Sequence, residues 1–360
     1  MATKDFHDRP FDPGTLTKLR IFELYTQEWL PVFLSKADPP FGEVHLFDFF
    51  CGPGTDSTGN PGSPLLTLNQ LRRFSQQGLA GWGHVEITAH FFDVNRSKIQ
   101  RLTEQTQQPD WQIPAIRLDL RQIEFQAALA EYKSVLENPN AAKLLIIDQS
   151  GVDEVSDDVF RRLVQFPRAD FIFFLSSSTL HRFRGLPVIK QKIDRPERSF
   201  DVHRAAFNYY RALLSGSEPY YLAPFSIKKR GNIYGLVFGS RHPRGIDKFL
   251  HVAWQNDDIA GEANFDIENE NIEPGELLLA LEVMRPTKIK VFERNLENAF
   301  RARSLPDEAA IVRHCIECGM TRQHAAPVLA KLKKEGFLHC SFRVPDITRL
   351  DDPRSITYLR

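Results

Sequence analysis

Short apolar runs alternate with amphipathic segments through the first half of this chain. The runs are Val44–Phe50, Glu86–Phe92, Ala115–Leu118, Leu144–Ile147 and Phe171–Leu175. Brief, continuous stretches of Val, Ile, Leu and Phe are what strands covered on both faces look like, because no position needs to face water. The intervening segments Leu65–Phe74, Ser97–Thr106, Phe125–Leu136 and Val155–Phe166 read as helices. Strand and helix in alternation predict βαβ units around a parallel sheet. Another helix is expected over Leu16–Leu34, where Leu16, Leu19, Ile21, Leu24, Tyr25, Leu30 and Phe33 recur at near-helical spacing. Pro31 predicts a bend in it, and Asp38-Pro39-Pro40 its end.

A helix near Asp201–Leu214 leads to two extended runs, Tyr220–Ile227 and Asn232–Gly239, joined by the turn-like Lys228-Lys229-Arg230-Gly231. A hairpin closing an otherwise parallel series separates class I methyltransferase folds from dinucleotide-binding ones. The expected fold class is therefore α/β, a class I methyltransferase-like Rossmann sandwich. Residues 256–276 hold eight acidic side chains and no Lys or Arg, the mark of a solvated linker. Beyond it, helices over Leu305–Cys318 and Thr321–Glu335 flank a turn at Gly319-Met320, and Leu338–Val344 with Ser355–Leu359 could pair as a wing. That order predicts a C-terminal winged helix-turn-helix domain. The chain is thus divided into an N-terminal helical segment (1–42), the Rossmann domain (43–255), an acidic linker (256–280) and the winged helix (281–360).

Composition narrows the picture modestly. Forty-six basic residues balance 46 acidic ones, so any attraction to a polyanion must be local. Four irregularly spaced cysteines suggest free thiols in a reducing compartment, and neither a membrane span nor a secretory signal is evident. A cytoplasmic protein with no membrane partner is expected.

Candidate chemistry gathers at the predicted strand ends. The first strand runs into Asp48-Phe49-Phe50-Cys51-Gly52-Pro53-Gly54, where Gly52 and Gly54 would let backbone approach a nucleoside; a plain tight turn would also need them. Asp93 closes the second strand, where a carboxylate can take both ribose hydroxyls, or cap the next helix. Asp119 follows the third and could receive an adenine amino group. Asp48, Gly52, Gly54, Asp93 and Asp119 are the candidate cofactor residues. Asp148 and Gln149 end the fourth strand, where chemistry usually sits in open α/β sheets, and are the candidate catalytic pair. No aromatic follows them, as base amino-methylation would favour. His181, after the fifth strand, could accept a proton or be a loop residue.

From His181 to Lys248 there are 14 Lys and Arg against five Asp and Glu, with aromatics interleaved. This suits a surface that follows phosphates and stacks on bases, or simply a basic solvated face. Arg182, Arg184, Lys228, Lys229 and Arg230 are its candidate contacts. Arg322 and Gln323, near the start of the second C-terminal helix, are candidate base readers in DNA or RNA. Cys315 and Cys318 form a C-x-x-C within a helical pattern and read more simply as core residues than as zinc ligands, so no metal is expected.

The pattern Phe47-Asp48-x-Phe50-Cys51-Gly52-Pro53-Gly54, with Asn60-Pro61-Gly62-Ser63-Pro64-Leu65, Asp93-x-Asn95 and Tyr234 to Gly245 (through Arg241-His242-Pro243-Arg244), resembles the three-Cys-motif partner family. The resemblance implies a bacterial protein with a methyltransferase-like Rossmann domain, a C-terminal winged helix, and a genetic partner carrying a three-cysteine motif. It departs from the family at Asp148-Gln149-Ser150-Gly151, where Asp-Pro-Phe-Gly is usual. Two functions follow as expectations: an S-adenosylmethionine-dependent methyltransferase-like protein acting on or binding nucleic acid, or an inactive adaptor subunit of a larger complex, for example in phage defence.

Overall fold

The computed structural model describes residues 8–149, 154–176, 202–214, 220–229, 232–260 and 288–359. Helix α1 (Pro13–Leu34) opens the chain. Asp12 caps it by accepting from Thr15 N at 2.9 Å, and Pro13 stands in the first turn, where a missing N–H costs nothing. It runs through Pro31 and ends at Leu34, four residues before the Asp38-Pro39-Pro40 stop.

The expected alternation follows: β1 (Glu43–Asp48), α2 (Ser63–Gln77), β2 (Glu86–Asp93), α3 (Arg96–Thr106), β3 (Ile116–Gln122), α4 (Phe125–Glu131) with the short α5 (Lys133–Leu136), β4 (Ala141–Ile147), α6 (Asp157–Gln165) and β5 (Ala169–Ser176). Helix α7 (Val202–Ala212) precedes β6 (Tyr221–Lys229) and β7 (Asn232–Ser240). All seven strands form one sheet in the order β3-β2-β1-β4-β5-β7-β6. The first five are parallel; β7 enters antiparallel beside β5, and β6 antiparallel beside β7. This is the hairpin-terminated parallel sheet the pattern predicted.

Core residues fall into two layers. One face of the sheet packs on α1, α2, α3 and α8 (Pro243–Ala260), the other on α4 to α7. β4 is buried at every residue, Lys143 included, whose Nζ donates to Asn138 O at 2.6 Å.

The C-terminal part consists of α9 (Lys288–Arg301), α10 (Glu308–Glu317), a 3₁₀ turn Arg322–Ala325, α11 (Ala326–Lys334) and a two-residue ribbon, β8 (Leu338–His339) with β9 (Thr357–Tyr358). It differs in detail from the expectation. α10 starts at Glu308 because Asp307 caps it, accepting from Ala310 N at 2.8 Å. Pro327 in the first turn of α11 sets the α-helical start there, leaving 322–325 as a tighter turn. The pairing expected over Leu338–Val344 shrinks to two residues. These helices share the core of the α8 face, and Trp254 Nε1 of α8 donates to Gly319 O at 2.8 Å.

Candidate functional site

The carboxyl ends of β1, β2 and β4 meet at one end of the sheet, because these strands are adjacent and parallel. The loop after β1 is stitched to both neighbours: Phe49 N donates to Ile146 O at 3.1 Å and Cys51 N to Phe92 O at 2.9 Å. Gly52 (φ 65°) and Gly54 (φ 94°) take left-handed backbone, which side chains resist. They serve different purposes. A Cβ on Gly54 would meet Gln105 Oε1 at 2.2 Å and Leu102 Cδ1 at 3.0 Å, so its bareness lets α3 pack close.

Gly52 lies against Asp93. Asp93 Oδ2 accepts from Gly52 N at 3.2 Å and Oδ1 from Asn95 N at 2.8 Å, leaving the residue 8% exposed beside Lys98. The helix-capping duty falls to Asn95, which accepts from Ser97 N. Each carboxylate oxygen keeps a further lone pair, so the pair still fits a ribose next to bare backbone.

Asp48, the last residue of β1, is buried. Burial, with the charges of Asp148 and Asp93, raises its pKa to about 7, against the lowering effects of Ser63 and Phe50 N. Ser63 is close enough to act on it, yet Oδ2 has no hydrogen bond of good geometry. A proton or an ammonium donor is the group such an oxygen would take.

Asp148 is not a free carboxylate. Lys18 Nζ, from α1, stands 2.6 Å from both its oxygens and 4.5 Å from the Phe174 ring centroid. Gln149 is 1% exposed; its Nε2 donates to Phe174 O at 3.1 Å, and its Oε1 is unpartnered. Hence Asp148 is ion-paired and Gln149 is buried. Lys18, the one charged residue among the buried positions of α1, was missed, because its partner lies 130 residues away.

Asp119 is also displaced from its expected place. It lies inside β3 opposite His90, three residues before the Asp93–Gln122 pair, and so about 10 Å short of the strand end. His90 Nδ1, at 2.9 Å, Arg121 Nε, at 2.9 Å, and the Tyr132 hydroxyl take three of its acceptor positions, away from the strand end where an adenine was expected. These bonds hold its pKa well below the ordinary carboxylate value against the effect of burial.

Among the candidate nucleic-acid contacts, Arg182, Arg184 and Arg230 lie outside the described residues, as do His181 and the linker beyond residue 260. Lys228 and Lys229 belong to the last turnward residues of β6. Arg322 is not available for base reading: Nε and Nη2 reach Asp247 at 2.7 and 2.9 Å, and Nη1 donates to Pro345 O at 2.6 Å. Gln323 beside it is exposed. Cys315 is a buried core residue, and Cys318 lies 3.9 Å from His314 Nε2.

No protein-family model and no curated protein matches this chain by sequence. Solved structures similar to it include a Clostridium thermocellum protein provisionally named an rRNA methylase (11% identity, 60% of this chain and 95% of that one, TM-score 0.31). Another is M. jannaschii TYW2 in complex with AdoMet (10% identity, 64% and 76%, TM-score 0.31). A third is a Streptococcus mutans protein, provisionally named a methyltransferase, in complex with SAH (9% identity, 62% and 97%, TM-score 0.30). Scores this low carry no argument about function. The strand order establishes an α/β chain with a mostly parallel seven-stranded sheet ending in an antiparallel hairpin.

Proposed function

We propose that this chain is an S-adenosylmethionine-binding protein of the class I methyltransferase type, acting on nucleic acid. The observation that supports this best is the contact between Asp93, at the end of β2, and Gly52 N, in the loop after β1. Asp93 would hold the ribose, Gly52 would give the nucleoside its close backbone approach, and the buried Asp48 would face the amino-acid end. The bound cofactor supplies an activated methyl group, so the protein's task is positioning rather than acid-base work. The C-terminal helices and ribbon would form a winged helix, with Gln323 and the Lys228-Lys229 hairpin as phosphate or base contacts. The resemblance to the three-Cys-motif partner family fits this arrangement and would add a protein partner.

Titration calorimetry with S-adenosylmethionine tests the reading. Heat is expected at about 100 µM ligand, within the usual range of working substrate affinities, and Asp93→Ala should abolish it. No heat from the unsubstituted chain removes the proposal.

A second reading draws on the Lys18–Asp148 pair and buried Gln149: the chain binds cofactor or nucleic acid without transferring a methyl group, as an adaptor. It predicts calorimetric binding with no transfer of labelled methyl to DNA or RNA.

A further inference from the structure

A cavity of about 580 Å³ opens at the other end of the sheet, where β5 begins and β7 ends, a strand's length from Gly52 and Asp93. Its size suits a small molecule. Three kinds of surface line it.

One is aromatic: Trp29, Phe33 and Phe41 pack tilted and edge-on, with ring centroids 4.5 and 5.5 Å apart. The second is a deep acceptor. Asp170 Oδ2 receives the Tyr25 hydroxyl at 2.7 Å and Trp29 Nε1 at 3.1 Å. The Ser240 hydroxyl serves the same carboxylate but also lies 3.1 Å from His242 O, so its single hydrogen is shared between two acceptors. A carboxylate has about four lone-pair positions, so these donors leave capacity for one more on a residue that lines the cavity. Burial raises the Asp170 pKa even with the donors present, so a further donor would be welcome.

The third surface is a basic rim. Lys248 is paired with Glu28 at 2.8 Å, and Arg241 donates to Val164 O at 3.2 Å, so both are engaged. Arg168 and Arg244 are exposed at the mouth, Arg168 with its guanidinium 4.5 Å from the Phe41 ring centroid. Close packing holds the floor: a Cβ on Gly245 would meet Ser240 Oγ at 2.7 Å and Asp170 Oδ2 at 3.1 Å. The Ser240 to Gly245 segment, singled out in the sequence and unused by the cofactor site, therefore builds this cavity.

We propose that the cavity is a second ligand site, for a nucleotide whose base carries an exocyclic amino group. The base packs against the wall of Trp29, Phe33 and Phe41, the amino group donates to Asp170, and the phosphate meets Arg168 and Arg244. A flat ring, a single inward donor and an outward anion are what these surfaces together select.

Calorimetry of the full chain with AMP, and separately with UMP, which lacks the amino group, tests this. Saturable AMP binding is expected. It should weaken at least about tenfold in Arg244→Glu, as loss of a charge-assisted contact implies. Arg244 is exposed, so the melting temperature should not move, and Asp93→Ala should leave AMP binding intact. Three results would overturn the proposal: no AMP binding, UMP binding as tightly as AMP, or AMP binding lost in Asp93→Ala but kept in Arg244→Glu. The last would place the nucleotide in the cofactor site, so this proposal can fail while that one stands.

Discussion

Lys18 Nζ sits 2.6 Å from both carboxylate oxygens of Asp148, tying the first helix to the end of β4. The two side chains are 7% and 18% exposed. A pair this sheltered is asymmetric in its energetics, because removing one partner leaves the other charge desolvated. Lys18→Met should therefore cost about 3 kcal/mol of unfolding free energy. The double substitution Lys18→Met with Asp148→Asn should recover most of it. Urea denaturation of the three proteins decides; equal losses in single and double variants would show that the pair is not coupled.

The same helix face explains what the sequence could and could not reveal. The apolar runs predicted every strand of the sheet and its terminal hairpin, since burial on both faces leaves a local pattern. The convergence of Gly52 with Asp93 was also legible, because adjacent parallel strands bring their ends together. Lys18, Tyr25 and Trp29 were not, as their partners Asp148 and Asp170 lie more than a hundred residues away. Asp119 was misplaced for a related reason. β3 extends through Gln122 by pairing with β2, and a charged stretch such as Asp119-Leu120-Arg121 gives no sign of that locally.

Asp48 gives the chain a stability that falls as pH rises. Its folded pKa of about 7 lies above the ordinary 3.8, so between these values the folded state holds more protons than the unfolded. Its contribution is complete at low pH and is lost as pH rises through 7. Asp48→Asn removes this dependence. Relative to the unsubstituted chain, the variant should gain roughly 3 kcal/mol between pH 5 and pH 8. Parallel denaturation curves at the two pH values, with an unchanged difference, would contradict the assignment.

His45 and His90 impose the opposite slope. Glu43 Oε2, His45, His90 and Asp119 form a line across three strands, with contacts of 3.0, 3.0 and 2.9 Å. Burial lowers both imidazole pKa values, outweighing Glu43 and Glu86 at His45 and Asp119 at His90, with Lys143 and Arg117 adding to it. With a depressed folded pKa, the unfolded chain takes up protons first as pH falls below about 6.5. Stability is complete above that value and declines beneath it, by up to about 1.4 kcal/mol per pH unit for each ring. His90→Phe, which keeps a ring against Phe47, should flatten the decline between pH 6.5 and 5. Equal slopes in variant and unsubstituted chain would mean that the rings do not titrate in this range.

Arg322 and the Lys228-Lys229 pair carry opposite expected consequences. Arg322 holds Asp247 of α8 with two hydrogen bonds and Pro345 with a third, so its guanidinium joins the C-terminal helices to the sheet domain. Arg322→Ala should lower unfolding free energy by about 2 kcal/mol, since it strands a partly buried carboxylate and a carbonyl. It should leave affinity for duplex DNA or for RNA, and the dependence of that affinity on salt, unchanged. Lys228→Ala with Lys229→Ala removes two positive charges at the turnward end of β6. If these meet phosphates, the slope of log affinity against log salt should fall by nearly two, with no sequence preference altered. Filter binding from 50 to 300 mM salt measures both. A reduced slope in the Arg322 variant and none in the lysine pair would move the nucleic-acid surface from the hairpin to the C-terminal helices, and with it the strand end at which a nucleic-acid substrate enters.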